Sequence, residues 1–112
     1  MNIRTEDGFY GKGYVYTLYT LEDFDIYENY LKTIDNDYIK KYNPNFYYFK
    51  EDFKKYVGKL WNTTKNETYR VIGIEDDDAM SDWYWVLENV DNPSNIIYRL
   101  VNDADFESGF ID

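Results

Sequence analysis

Carboxylates are the residues through which this chain could do chemistry, and they crowd into one stretch. Glu75, Asp76, Asp77 and Asp78 stand in a row, Asp82 follows, and Trp83, Tyr84 and Trp85 come directly after. Paired carboxylates can run acid–base hydrolysis. Alternating ones, here Asp76, Asp78 and Asp82, can offer oxygen ligands to calcium. A dense negative run beside an aromatic side chain can dock on a basic protein surface. The first use carries no weight, because acidic residues are so numerous that a pair is found anywhere. The second lacks the central glycine and closing glutamate of an EF-hand loop. The third stands against a plainer reading, a solvated acidic loop that keeps sheet edges from aggregating.

The 112 residues include no histidine and no cysteine. Ser/His/Asp and Cys/His catalysis are therefore excluded within the chain, as are disulfides and cysteine metal sites. Gly11-Lys12-Gly13 lacks the rest of a phosphate-binding loop. The expectation is a protein that is not an enzyme and uses no cofactor or metal. With 22 acidic against 12 basic residues the net charge is −10. The charge is uneven: residues 1–58 hold 10 acidic and 8 basic side chains, residues 59–112 hold 12 and 4. Such a chain repels phosphate backbones and anionic membranes, so neither direct nucleic-acid binding nor membrane binding is expected. No apolar run approaches a membrane span and the first residues lack an apolar signal core, which suggests a cytoplasmic protein. Aromatic residues make up 21% of the chain, 14 of them tyrosine. Disordered acidic segments are poor in aromatics, so the chain should fold and have tyrosine to spare for an interface.

The elements that would hold the acidic stretch are legible on either side of it. Residues 69–74 read as a strand, as do 83–87 and 96–101, with 75–82 and 91–95 as their connections. On the middle strand Trp83, Trp85 and Leu87 should face the core and Tyr84 and Val86 outward. Upstream, residues 1–13 suggest a loose start or a glycine-turn hairpin, and 14–19 a strand. Thr20 is a candidate helix N-cap with Asp23 three residues on. Phe24, Tyr27, Leu31, Ile34 and Tyr38 recur at helical spacing, predicting a helix over 21–42 that Asp35-Asn36-Asp37 could divide. A second helix is predicted over 44–57, closed by Gly58. Residues 59–62 suggest a short strand, and 102–112 a tail with Phe106, Phe110 and Ile111 able to dock. Tyr27, Tyr38, Tyr56 and Tyr98 fit the inward stripes; Tyr10, Tyr30 and Tyr47 should be partly exposed. The chain thus predicts one α+β domain over 1–112. An N-terminal strand and two amphipathic helices pack on a C-terminal antiparallel sheet that could take an SH3-like form.

In charge and size, though in no residue pattern, the chain resembles the small acidic proteins that phages and mobile elements of low-GC bacteria encode. Several of those imitate DNA to block restriction enzymes, CRISPR nucleases or repair enzymes. The resemblance implies a DNA-mimic inhibitor of the anti-CRISPR or anti-restriction type, acting in a bacterial host, and it brings no site residues with it. The expected partner is a basic, nucleic-acid-binding protein. The expected contacts are Glu75, Asp76, Asp77, Asp78 and Asp82, with Tyr84 as aromatic contact. On that reading, charge reversal of Asp76, Asp77 and Asp78 together should weaken binding and leave folding intact. A structural or assembly subunit, and an immunity protein or antitoxin, are the alternatives.

Overall fold

The computed structural model describes residues 1–8, 11–63, 65–78, 82–101 and 109–111. Tyr10 and Phe106 lie outside them. The elements run β1 (Asn2–Gly8), β2 (Gly11–Leu18), α1 (Leu21–Ile34), α2 (Tyr38–Tyr42), α3 (Phe46–Tyr56), β3 (Leu60–Asn62), β4 (Thr68–Asp77), β5 (Asp82–Asn89), β6 (Ile96–Leu100) and β7 (Phe110–Ile111). The chain is an α+β protein with an antiparallel sheet, as its sequence pattern implies. No helix among the described residues is long and apolar enough to cross a membrane.

Local chemistry explains the helix boundaries. The Thr20 hydroxyl accepts from the Asp23 N–H at 3.1 Å, and the Asp23 carboxylate reaches back to the Tyr19 N–H at 2.8 Å. These two bonds satisfy donors that a helix start would otherwise leave open. At the far end Asp35 ends α1 by turning its carboxylate onto the Asp37 N–H at 2.9 Å. The single helix expected over 21–42 is therefore two. Pro44 and Asn45 form the turn into α3, with Phe46 N–H bonded to the Asn43 carbonyl. Gly58 follows α3 with φ +82°, a conformation open to glycine at no steric cost.

β4 is the spine of the sheet. One edge pairs with β5 along almost its whole length. The other edge changes neighbour: residues 68–70 pair with β3, and 74–77 pair with β2. Gly73 sits at the changeover, where a β-carbon would stand 2.8 Å from the Leu18 carbonyl oxygen. β1 extends the sheet beyond β2, β6 beyond β5, and β7 beyond β3. The sheet is thus not confined to the C-terminal half: the first eighteen residues supply a hairpin that joins it through β2.

The three helices cover one face. Phe24, Tyr27 and Leu31 of α1, Ile39 of α2, and Phe46, Phe49 and Phe53 of α3 meet Tyr16, Leu18, Ile74, Trp83, Trp85 and Leu87 from the sheet. Trp83 lies parallel to Phe24 at 6.3 Å, and Trp85 meets Tyr56 edge-on at 5.8 Å. Both tryptophans are core, each fully buried aromatic being worth about 2–3 kcal/mol of transfer free energy. The opposite face carries no helix among the described residues. Cross-strand register and alternation place Arg4, Val15, Thr17, Glu75, Asp77, Tyr84 and Tyr98 there. Tyr98, expected inside, is exposed; Tyr30 and Tyr47 are exposed as expected.

Candidate functional site

The acidic stretch expected as a connection over 75–82 begins as strand; Asp78 is a turn residue, and 79–81 lie outside the described residues. Glu75, Asp76 and Asp77 continue β4, and all three are buried, at 3%, 9% and 6% exposure. Aspartate is a poor strand former, but here each residue sits opposite partners that the sheet supplies. Because a strand alternates its side chains, Asp76 faces away from Glu75 and Asp77, and Asp78, just past the strand, lies on the Asp76 side. This corrects the expectation of one contiguous acidic surface, and with it the expectation that charge reversal of Asp76, Asp77 and Asp78 spares the fold. Reversing the two buried charges, at Asp76 and Asp77, disrupts the sheet itself, whereas Asp78 is exposed just beyond the strand.

On the helix-free face Glu75 is committed internally. Arg4 grips both carboxylate oxygens, Nη1 to Oε1 at 2.7 Å and Nη2 to Oε2 at 3.2 Å, and the Thr17 hydroxyl adds a bond at 3.0 Å. Arg4 also bonds Glu6 through Nε at 3.0 Å and lies 6.0 Å from the Tyr98 ring centre. The hydrogen bond and charge of Glu75 hold the guanidinium firmly in its charged form, against the desolvation that opposes it. Asp77 and Tyr84 line a hollow of about 210 Å³ beside this pair. Burial, then Asp82, Asp77 and Glu75, raise the Tyr84 hydroxyl above the ordinary tyrosine range.

On the helix side Asp76 points into a cleft of about 120 Å³ between α1, α2 and the end of β4. Its Oδ2 accepts from the Tyr27 hydroxyl at 2.5 Å and from Asn43 Nδ2 at 3.0 Å. Desolvation is the largest influence on this carboxyl. It outweighs the two hydrogen bonds and, with Asp78 and Asp77 nearby, pushes the pKa up to about 6. Tyr16, Tyr38 and Tyr42 form the remaining aromatic wall, and Asp78 is exposed at the mouth. The Tyr16 and Tyr27 rings are 4.6 Å apart, and those of Tyr38 and Tyr42 are 5.0 Å apart. Burial is the first cause holding the Tyr16 and Tyr27 hydroxyls above their ordinary pKa, so both stay neutral. Asp82, exposed at the start of β5, borders an adjoining hollow that shares Tyr42, Asn43 and Trp83 with the cleft.

Of the six expected contacts, then, Asp76 and Asp78 line one aromatic cleft, and Asp82 borders the hollow beside it. Glu75, Asp77 and Tyr84 lie on the other face. The calcium arrangement of Asp76, Asp78 and Asp82 is not formed: among the described residues no three carboxylates are grouped to hold a metal. The described lining of the cleft includes no serine, threonine, lysine, histidine or cysteine to act as nucleophile or base partner. Aromatic rings around a carboxylate instead suit the binding of a cation. Sequence reasoning missed the cleft walls. The available signal was the spacing of Tyr38 and Tyr42, one helical turn apart and directly followed by Asn43-Pro44. No protein-family model, no curated protein and no solved structure matches the chain.

Proposed function

We propose that this protein is a small acidic inhibitor that binds a basic, nucleic-acid-binding surface of a host protein in the bacterial cytoplasm, in the place that DNA would occupy. The observation that carries this reading is the end of the β4–β5 pair where Asp77 stands opposite Asp82. There Asp78 stands exposed at the mouth of an aromatic cleft and Asp82 at the hollow beside it, in a chain of net charge −10. Exposed Tyr14, Tyr30 and Tyr42 ring the same end and offer contact area at low entropic cost. Electrostatic attraction steers such a face onto a cationic groove, and the aromatics give it area to bury. Nothing in this role calls for catalysis.

The test is competition. The tagged chain is incubated with bacterial lysate at low salt, retained proteins are eluted by salt, and each is assayed for duplex DNA binding with and without added chain. The reading expects a basic DNA- or RNA-binding protein whose nucleic acid is displaced stoichiometrically, with displacement weakening as salt rises. Retention of a neutral or acidic partner, or binding that leaves its nucleic acid in place, contradicts it.

A further inference from the structure

We infer that the tyrosine-walled cleft receives an arginine side chain projecting from the partner. The inference rests on the partner-binding reading above and sharpens it to one site and one chemical group. Asp76 is a carboxylate at 9% exposure whose side-chain donors, Tyr27 and Asn43, are both neutral. Among the described residues no lysine, arginine or terminal ammonium is ion-paired with Asp76 or with Asp78. Glu75, its neighbour in β4, shows the contrast: also buried, it is gripped by Arg4. A buried charge without a countercharge is costly, and the cleft opens directly onto it.

The shape selects among cations. A volume of about 120 Å³ is far above the ~10–15 Å³ that a single water needs. It is walled by flat rings: Tyr16, Tyr27, Tyr38 and Tyr42. A guanidinium is planar, weakly hydrated and stacks on aromatic faces, and its several N–H groups can reach two carboxylates together. An ammonium is a compact, strongly hydrated point charge that loses more on entering such a slot. Asp78 at the mouth and Asp76 within provide two acceptors along the entry path, and exposed Ile34 and Tyr42 flank it for the methylene stem. Arginine is also the residue that basic nucleic-acid-binding surfaces use against planar and bidentate acceptors.

The test uses the whole chain and three capped tripeptides, Gly-X-Gly with X arginine, lysine or citrulline, followed by NMR titration at constant ionic strength. The expected result is saturable shifts at Tyr38, Tyr42, Asn43, Asp76 and Asp78 with the arginine peptide. The neutral citrulline peptide should bind about tenfold more weakly or worse, and lysine should fall between. Asp78→Asn and Tyr42→Ala, both at exposed positions, should each weaken the arginine peptide several-fold, while Asp91→Asn leaves it unchanged. Equal shifts from arginine and citrulline, or arginine shifts spread over the whole acidic surface, overturn the proposal. If no peptide binds yet the competition experiment yields a displaced partner, the arginine site is lost and the inhibitor reading stands. If the arginine peptide binds the cleft and no basic partner is found, the site stands and the inhibitor reading is lost.

Discussion

Replacing Asp76 by asparagine should stabilise this protein at alkaline pH, although it removes a carboxylate that makes two hydrogen bonds. Both bonds land on the same oxygen, Oδ2, so one amide oxygen in its place can accept both. What the substitution removes is the cost of ionising a buried group. The folded-state pKa is pushed up to about 6 from an ordinary 3.8. Between those values the folded state holds a proton that the unfolded state has lost, so stability falls as pH rises through the window. The full cost is present above about pH 6, and a two-unit shift corresponds to about 3 kcal/mol. The new amide N–H groups recover less than ideal bonding, so the net gain expected at pH 8 is about 1–3 kcal/mol. At pH 5, partway down the window, the gain should fall to about half. Urea unfolding of both proteins at pH 8 and pH 5, with coincident fluorescence and circular-dichroism transitions, measures it. Asp76→Asn that is destabilised at pH 8, or equally stabilised at both pH values, refutes the assignment of Asp76 as an uncompensated buried acid.

Two further substitutions probe the frame around the site. Arg4→Met leaves Glu75 buried beside Thr17 alone and should cost about 2 kcal/mol after discounting for the partial exposure of Arg4; adding Glu75→Gln should recover much of that loss, and an additive double mutant would show that the pair is not coupled. Gly73→Ala drives a β-carbon to 2.8 Å from the Leu18 carbonyl and should cost about 1–3 kcal/mol of stability, lowering the urea midpoint, whereas an unchanged midpoint would mean that β2 and β4 are less closely apposed at that point.

The sequence signals succeeded where structure is local. Thr20 and Asp23, the Asp35–Asp37 break, the Pro44 turn and the inward Trp83-Trp85-Leu87 face all follow from caps, turn residues and alternation within a few residues. They failed where a distant segment decides. Glu75 is a strand residue because Arg4 and Thr17 lie across the sheet, 71 and 58 positions away in the chain. Asp76 is one because Tyr27 reaches it from α1 and Asn43 from the cap that follows α2. Four acidic residues in a row suggest a solvated turn, and only the pairing of β2 with β4 converts the first three into alternating inward and outward positions. The cleft was hidden for the same reason: its walls come from β2, α1, α2, β4 and β5.

The central claim is that binding runs through the cleft end of the sheet and not through net charge at large. The decisive measurement compares two charge-matched double variants for displacement of nucleic acid from the captured basic partner. One is Asp78→Asn with Asp82→Asn, at the cleft. The other is Glu6→Gln with Glu88→Gln, away from it. Both change the net charge equally. The cleft pair is predicted to weaken displacement about tenfold or more, and the remote pair to change it less than about twofold. Equal weakening by the two pairs would contradict the claim and leave only a diffuse electrostatic attraction.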